Sequence, residues 1–285
     1  YWIACAGNNE GLWRASGWVK GVPATLVPYE HTQSLTALNL TSIVEDREQR
    51  LWVSTYSNGI NILSKDRSKV VHLKKENSDV RLASNHVTHL YQDPYYPYIW
   101  VSYRDAGLSK IEYFPDGTFK ITHYTYKEND PHSLSSNFTW NVRRTRDSVL
   151  WIATLGGGLN KMVEENGRTY FQHYTVNEGL KDNDIESMEE DSDGNLWLAG
   201  YGLTKFDPCT GGVHFFDYTD GLQSNAFKVG ASFRDHFGWL YFGGINGINF
   251  FDPATVISSN ISPDLVFTGL RVYNKTVKVG EELGS

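Results

Sequence analysis

The 285-residue sequence contains little cysteine, an excess of acidic over basic residues and no long apolar run. Its two cysteines, Cys5 and Cys209, lie far apart in sequence, so we expect isolated thiols, and cysteine usage does not identify the compartment. The sequence has 26 Lys and Arg against 33 Asp and Glu, a net charge of −7. It therefore lacks the basic surface that is typical of a nucleic-acid-binding protein. No signal peptide is visible and no segment approaches the ~20 apolar residues of a membrane helix. Any membrane attachment is therefore expected in segments outside this sequence.

Recognisable signatures of catalysis and cofactor binding are also missing. The sequence has no HExxH motif, no close Cys/His set and no Gly-x-Ser-x-Gly, and no pair of carboxylates is marked by spacing as an acid and a base. The segment 191–195 resembles a calcium loop, but the sixth and twelfth positions hold Leu196 and Gly202 instead of Gly and Glu. We interpret it as a hairpin turn. The sequence thus predicts no catalytic residue, no metal site, no cofactor and no enzymatic activity.

The most repeated element is a short apolar strand with a central aromatic residue, followed by a glycine turn and a second strand. Its plainest copy runs from Leu150 to Lys161. Glycine reaches positive φ without a steric penalty, so each copy suits a tight β-hairpin. The aromatic residues of the six copies are Trp2, Trp52, Trp100, Trp151, Trp197 and Tyr241.

The spacing of these copies predicts an all-β fold, a β-propeller of four-stranded blades. The aromatic positions are separated by 50, 48, 51, 46 and 44 residues, a period typical of propeller blades. Each unit consists of an asparagine-led strand 1, the tryptophan strand 2, the post-glycine strand 3 and an aromatic strand 4. The five asparagine-led segments are Asn39–Asp46, Asn85–Asp93, Asn137–Asp147, Asn183–Asp191 and Asn225–Asp235. Because this asparagine recurs, we expect it to hydrogen-bond the backbone where strand 1 begins.

The repeat has a wider resemblance, carried by the pattern Val/Ile-x-x-Ile/Met-x-x-Asp followed by Leu-Trp-Ile/Val-x-Thr-x-x-Gly-Gly-Leu. It resembles the two-component regulator propeller repeat, most closely at Ile185–Trp197 and at the plainest hairpin, and the resemblance covers nearly all of residues 1–253. It implies the periplasmic sensor region of a hybrid two-component regulator of the Bacteroidetes type. The implied ligand is an oligosaccharide, and the implied intact receptor is a membrane-attached homodimer.

Two regions are predicted. Residues 1–257 form the propeller, whose first copy starts at strand 2, so the ring is either incomplete or a smaller closed one. Residues 258–285 form a linker and strands that resemble the start of the immunoglobulin-like β-sandwich that follows the propeller in the same family.

Strand parity indicates where a ligand would bind. In an antiparallel blade, the turn between strands 2 and 3 lies at the same end as the connection to the next blade. On this face the mix of Tyr, Asn, Arg and Asp suits a hydroxyl-rich ligand. Tyr56, Arg104, Asp105 and Tyr201 depart from the glycine-rich turn, although solvated turn residues would look the same. The candidate ligand-binding residues are Tyr56, Asn58, Arg104, Asp105, Trp140, Tyr201 and Asn246.

Two other functions are compatible with the repeat. A propeller enzyme acting on a polysaccharide, a lyase or a hydrolase, would need acidic and basic groups that converge near the channel. A structural propeller that binds a protein would need a large exposed apolar patch.

Overall fold

The structure is a computed structural model that describes residues 2–5, 11–16, 25–77, 79–256, 270–272 and 275–277. The chain divides into two compact units, Tyr1–Thr255 and Val256–Ser285. In the described residues the first unit contains six antiparallel sheets and the second contains one pair of strands.

Each sheet of the first unit is one propeller blade, with its strands paired in sequence order. Blade 1 consists of β1 (Trp2–Ala4), β2 (Leu12–Ser16) and β3 (Thr25–Pro28). Blade 2 consists of β4 (Leu40–Glu45), β5 (Leu51–Thr55), β6 (Ile60–Leu63) and β7 (Val70–Leu73). Blades 3 and 4 consist of β8 (Val87–Gln92), β9 (Tyr98–Tyr103), β10 (Leu108–Tyr113), β11 (Phe119–Tyr124), and β12 (Thr139–Arg144), β13 (Leu150–Thr154), β14 (Leu159–Glu165), β15 (Arg168–Tyr174). Blades 5 and 6 consist of β16 (Ser187–Glu190), β17 (Leu196–Gly200), β18 (Gly202–Phe206), β19 (Val213–Phe216), and β20 (Phe227–Arg234), β21 (Leu240–Gly244), β22 (Gly247–Phe251).

The blades follow one another around an axis. Contacts join β1 to β4, β4 to β8, β8 to β12, β12 to β16 and β16 to β20, and β12 also approaches β20 two blades away. Blades 2 to 5 have four strands each, while three strands are described in blades 1 and 6. The predicted all-β propeller of four-stranded blades, with about six repeats, is confirmed.

Helical structure is minor. The described part of the chain contains four 3₁₀ helices, at Thr32–Ser34, Val176–Glu178, Tyr218–Asp220 and Pro253–Thr255. Within the described residues, no helix is long and apolar enough to cross a membrane. Cys5 and Cys209 are free thiols, as expected.

Aromatic contacts between neighbouring blades build the core. The four strand-2 tryptophans of blades 2 to 5 are at most 1% exposed. Trp52 packs edge-on against Phe119 of blade 3, with 5.6 Å between ring centroids. Trp151 meets Phe206 of blade 5 at 5.7 Å in the same manner. Burying a large aromatic side chain contributes on the order of 2–3 kcal/mol, so these contacts fix how successive blades stack.

The recurring asparagine has the structural role expected of it in four blades. The Asn183 side-chain oxygen accepts a hydrogen bond from the Val176 backbone N–H, and its carbonyl accepts one from Gly158 N–H at 2.8 Å. Asn85, Asn137 and Asn225 make the same pair of bonds. Each asparagine thereby fastens an inter-blade loop to the preceding hairpin.

Two members of the predicted repeat lie out of register with the other copies. The carbonyl of Asn39 bonds Tyr56 N–H of its own blade, so Asn39 lies one residue past the fastening position, which Leu38 occupies. In blade 4 strand 1 ends at Arg144, and Thr145 takes the place of the acidic residue because Asp147 lies further into the turn. The segment 191–195 is the predicted hairpin turn, in which Asp191 accepts bonds from Asp193 N–H and Asn195 N–H.

The second unit is described only in part. Its strands β23 (Leu270–Val272) and β24 (Lys275–Val277) pair antiparallel. The rest of the predicted linker and immunoglobulin-like segment lies outside the described residues, and the predicted boundary at 257/258 remains a prediction.

Candidate functional site

The turns between strands 2 and 3 meet the inter-blade loops at one end of the blades, as strand parity predicts. Arg104 N–H donates to the His86 carbonyl at 3.1 Å, and Leu155 N–H donates to the Phe138 carbonyl at 2.9 Å. Gly156 N–H donates to the Asp184 carboxylate at 2.7 Å. We call this end the hairpin face. It brings side chains from different blades close together.

Three of the predicted residues form a continuous cluster on this face with a fourth that the sequence argument missed. The Arg104 guanidinium lies 5.7 Å from the centre of the Tyr56 ring and 5.9 Å from that of Phe138. It also donates a hydrogen bond to the Tyr56 hydroxyl. The Phe138 and Trp140 rings are 4.7 Å apart. We call Tyr56, Arg104, Phe138 and Trp140 the aromatic–arginine cluster, and it spans blades 2 to 4.

A β-bulge explains the position of Trp140. The inner strands of blades 2, 3 and 4 all shift register at the same place, where the extra residues are Thr41, Thr88 and Trp140. Thr41 and Thr88 donate their hydroxyls to the backbone of the next blade, at 2.8 and 2.7 Å. Within the described residues the buried Trp140 Nε1 has no hydrogen-bond partner. At this bulge blade 4 therefore has an indole of the cluster where blades 2 and 3 have a threonine that hydrogen-bonds the next blade.

Asp105 lies on the same turn as Arg104 but is engaged elsewhere. Its carboxylate is 2.9 Å from Nδ1 of His86, and both side chains are about half exposed. Burial opposes ionisation of Asp105, but hydrogen bonds from His86 and Ser84 and the charge of His86 outweigh it, so the pKa of Asp105 is lowered. Asp105, the carboxylate adjacent to Arg104 in sequence, is thus paired with His86.

The other predicted residues have different positions. Asn58 shapes its turn, with its N–H donating to Thr55 Oγ1 at 2.9 Å. Tyr201 is 58% exposed and bridges to Ala226 between blades 5 and 6. Asn246 N–H donates to the Gln223 side chain at 2.9 Å. Among the described residues, no hydrogen bond or ring contact joins these three to the cluster.

Phe138 could have been found by aligning the repeats on their strand 1. Asn39, His86 and Phe138 occupy equivalent positions, because the carbonyl of each accepts a bond from the first turn residue after strand 2. At this position blades 2 and 3 have polar residues, whereas blade 4 has a phenylalanine two residues before Trp140. Such a departure from the repeat is the kind of signal that indicates a binding site.

A second group of charged residues lies on the inner strands. Arg143 of blade 4 pairs with Glu189 of blade 5, which accepts a hydrogen bond from Ser232 of blade 6 at 3.0 Å. Burial raises the pKa of Glu189, and Arg143 opposes that shift. Burial, and then the charge of Arg143, lower the pKa of His89 to about 4. Among the described residues no His–carboxylate hydrogen bond occurs in this group, and none of the His, Cys, Asp and Glu clusters is suited to a metal ion.

Comparisons with known proteins agree with the repeat architecture. Over 115 residues, 40% of this chain, the sequence is 33% identical to histidine kinase P4 of Formosa agariphila. The fold is similar to the extracellular domain assigned to the hybrid two-component system BT3049 of B. thetaiotaomicron, with a TM-score of 0.64 and 23% identity over 76% of this chain. It is also similar to virginiamycin B lyase of Staphylococcus aureus, crystallised as an inactive variant with quinupristin, with a TM-score of 0.56 and 12% identity over 88% of each chain.

The chain spans 8% of the length of the kinase and 29% of the length of the extracellular domain. The model of the family described as two component regulator propeller matches residues 34–57 and 179–202, which contain the first two strands of blades 2 and 5. Two stretches of the propeller thus match the two-component regulator propeller repeat, which confirms the resemblance that the sequence pattern predicts.

Proposed function

We propose that the chain is the ligand-binding part of a periplasmic, non-enzymatic sensor in two-component signalling, and that the aromatic–arginine cluster binds an oligosaccharide. The observation that carries the proposal is the contact between Tyr56, Arg104, Phe138 and Trp140 from three blades. Apolar faces of sugar rings stack on aromatic side chains, while hydroxyls need polar partners at the rim. The cluster offers both on one surface.

The comparisons with known proteins support the part of the proposal that concerns signalling. The propeller resembles an extracellular domain assigned to a hybrid two-component system, and the sequence matches part of a histidine kinase. Signalling requires only that the ligand bind one arrangement of the receptor better than another. In the proposed receptor, a homodimer transmits that preference to a membrane segment outside this sequence.

Binding of an oligosaccharide panel tests the proposal directly. Ligand that binds only the native state raises the melting temperature of the purified protein, and titration calorimetry then gives the affinity. Phe138→Ala is expected to weaken binding about tenfold or more, since a stacked ring contributes on the order of 1–3 kcal/mol. Phe237→Ala removes a 78% exposed ring from the opposite end of blade 6 and is the matched control.

Two results would contradict the proposal. Equal affinity of Phe138→Ala and Phe237→Ala would place the site outside the cluster. Chromatographic detection of shortened or unsaturated products after incubation would instead indicate a hydrolase or lyase.

A further inference from the structure

Arg104 differs from three arginines of the blades that are neutralised by acidic side chains. Arg50, Arg67 and Arg144 form ion pairs with Asp46, Glu45 and Asp93 at 2.7 to 3.1 Å. Within the described residues, no carboxylate lies within ion-pair distance of Arg104. The arginine is exposed, so its charge faces the space in front of the hairpin face.

Aromatic rings and one hydroxyl position the guanidinium in place of an acid. The Tyr56 and Phe138 rings flank it at 5.7 and 5.9 Å, and the Tyr56 hydroxyl is its one hydrogen-bond partner among the described residues. A guanidinium has five N–H donors in a rigid plane, so four remain for a ligand. Cation–π contacts engage the face of the plane and leave those donors at its edge.

The acidic residue adjacent to Arg104 in sequence pairs with another side chain. Asp105 follows Arg104 directly but bonds His86 at 2.9 Å. Because Asp105 is paired with His86, it does not neutralise Arg104, and the guanidinium stays available to a ligand. A protein with a net charge of −7 repels anions at long range, so an unpaired cation in an aromatic cluster provides local selectivity for them.

We propose that Arg104 binds an anionic group on the oligosaccharide, either the carboxylate of a uronic acid or a sulfate ester. The inference rests on the proposed function of the cluster and narrows its ligand to acidic oligosaccharides. A carboxylate or a tetrahedral oxyanion can accept two parallel N–H bonds from one guanidinium. The flanking rings hold the guanidinium in one orientation, which reduces the entropy lost on binding.

Matched ligand pairs test the charge alone. An oligogalacturonide and its methyl ester have the same rings, and a sulfated oligosaccharide and its desulfated form make a second pair. Calorimetry on the purified protein is expected to show at least about tenfold tighter binding of one acidic member than of its neutral partner, because hydrogen bonds between charged groups are roughly twice as strong as those between neutral groups. This preference is expected to shrink as salt is raised from 0.05 to ~0.5 M, since the site is exposed.

Substitution of Arg104 assigns the preference to this side chain. Arg104→Met keeps the apolar stem and is expected to abolish the preference while retaining binding of the neutral partner. Arg104→Lys keeps the charge without the planar donors, so we expect an intermediate preference. Arg168→Met removes an exposed arginine at the other end of blade 4 and is expected to leave both affinities unchanged.

The outcomes separate the two proposals. Equal affinity for acidic and neutral partners, or an acid preference that survives Arg104→Met, overturns the role of Arg104 and leaves oligosaccharide sensing standing. No binding of any oligosaccharide, with a native melting transition, overturns both.

Discussion

The carboxylate of Asp191 accepts a hydrogen bond from the indole Nε1 of Trp197 at 2.9 Å. The residue that ends strand 1 thereby holds the buried tryptophan of strand 2. Asp46 holds Trp52 at 2.8 Å in the same way. Because a buried indole N–H without a partner is costly, this bond explains why an acidic residue recurs six or seven positions before the tryptophan.

Replacing Asp191 by alanine is expected to destabilise blade 5. The side chain accepts bonds from Trp197 and from the backbone of Asp193 and Asn195, all of which would be lost. We expect the free energy of unfolding, measured in urea, to fall by about 2–3 kcal/mol. Asp193→Ala removes an exposed carboxylate from the same turn and should change it by less than about 0.5 kcal/mol. Similar losses in the two variants would contradict a structural role for the indole bond.

Blade 4 lacks this bond, which makes the opposite experiment available. Thr145 stands in place of the acid, and the buried Trp151 Nε1 has no hydrogen-bond partner among the described residues. Thr145→Asp would restore the acceptor and reproduce the Asp-x-Asp turn of blade 5. We expect it to raise the free energy of unfolding by about 1 kcal/mol. A matched Thr145→Asn should give a smaller gain, and a loss in Thr145→Asp would show that the blade 4 turn cannot adopt the blade 5 geometry.

The repeat made most of the fold predictable. Six copies of an aromatic strand before a glycine turn determine strand order, blade stacking and the ends at which turns lie, because each unit obeys the same pairing rules. Small offsets could not be predicted. Asn39 and Asp147 match the pattern in residue type but lie one and two positions from the structural place. The sequence shows that a residue of the right type is near the expected position. Only the hydrogen bonds of the folded chain show whether it occupies that position or one next to it.

The sequence predicted the face on which the candidate site lies, but only some of the residues that form it. Parity placed Tyr56 and Arg104 at the same end, and departure from the glycine turn selected them. The contact between them depends on the angle between blades 2 and 3, which no local pattern encodes. For the same reason Tyr201 looked equivalent to Tyr56, although the structure gives it no described contact with the cluster. Phe138 was missed because it lies just before β12, outside the turns in which departures from glycine were sought.

The glycine that ends each hairpin turn provides another test. Gly158 has φ of +70°, and a Cβ there would lie 2.2 Å from the carbonyl oxygen of Tyr174. Gly167 has φ of +73° in the Asn166–Gly167 turn of the same blade, with open space around the Cβ position. Gly167→Ala therefore costs only backbone strain, about 1 kcal/mol, whereas Gly158→Ala adds a backbone clash and should cost at least twice as much in urea unfolding. Equal costs would mean that the loop at Tyr174 yields without penalty.

The low pKa of His89 predicts a dependence of stability on acid. Burial, and then the charge of Arg143, lower its pKa from 6.5 to about 4. Between these values the unfolded chain binds the proton and the native protein does not, so this contribution to stability is complete above pH 6.5 and is lost as the pH falls towards 4. Over that range the wild type is expected to lose about 2 kcal/mol more than His89→Gln.

Urea unfolding at half-unit steps from pH 4 to 7.5 measures the difference between the two curves, which removes the titration of other groups that the proteins share. His214→Gln, a change at an exposed histidine of β19, is the control and should follow the wild-type curve. Parallel curves for wild type and His89→Gln would mean that His89 takes its proton as readily in the folded protein as in the unfolded chain. A difference between the two stability curves that is confined to pH 6.5–4 would instead show that acid destabilises the propeller at the junction of blades 3 and 4, beside the Arg143–Glu189 pair.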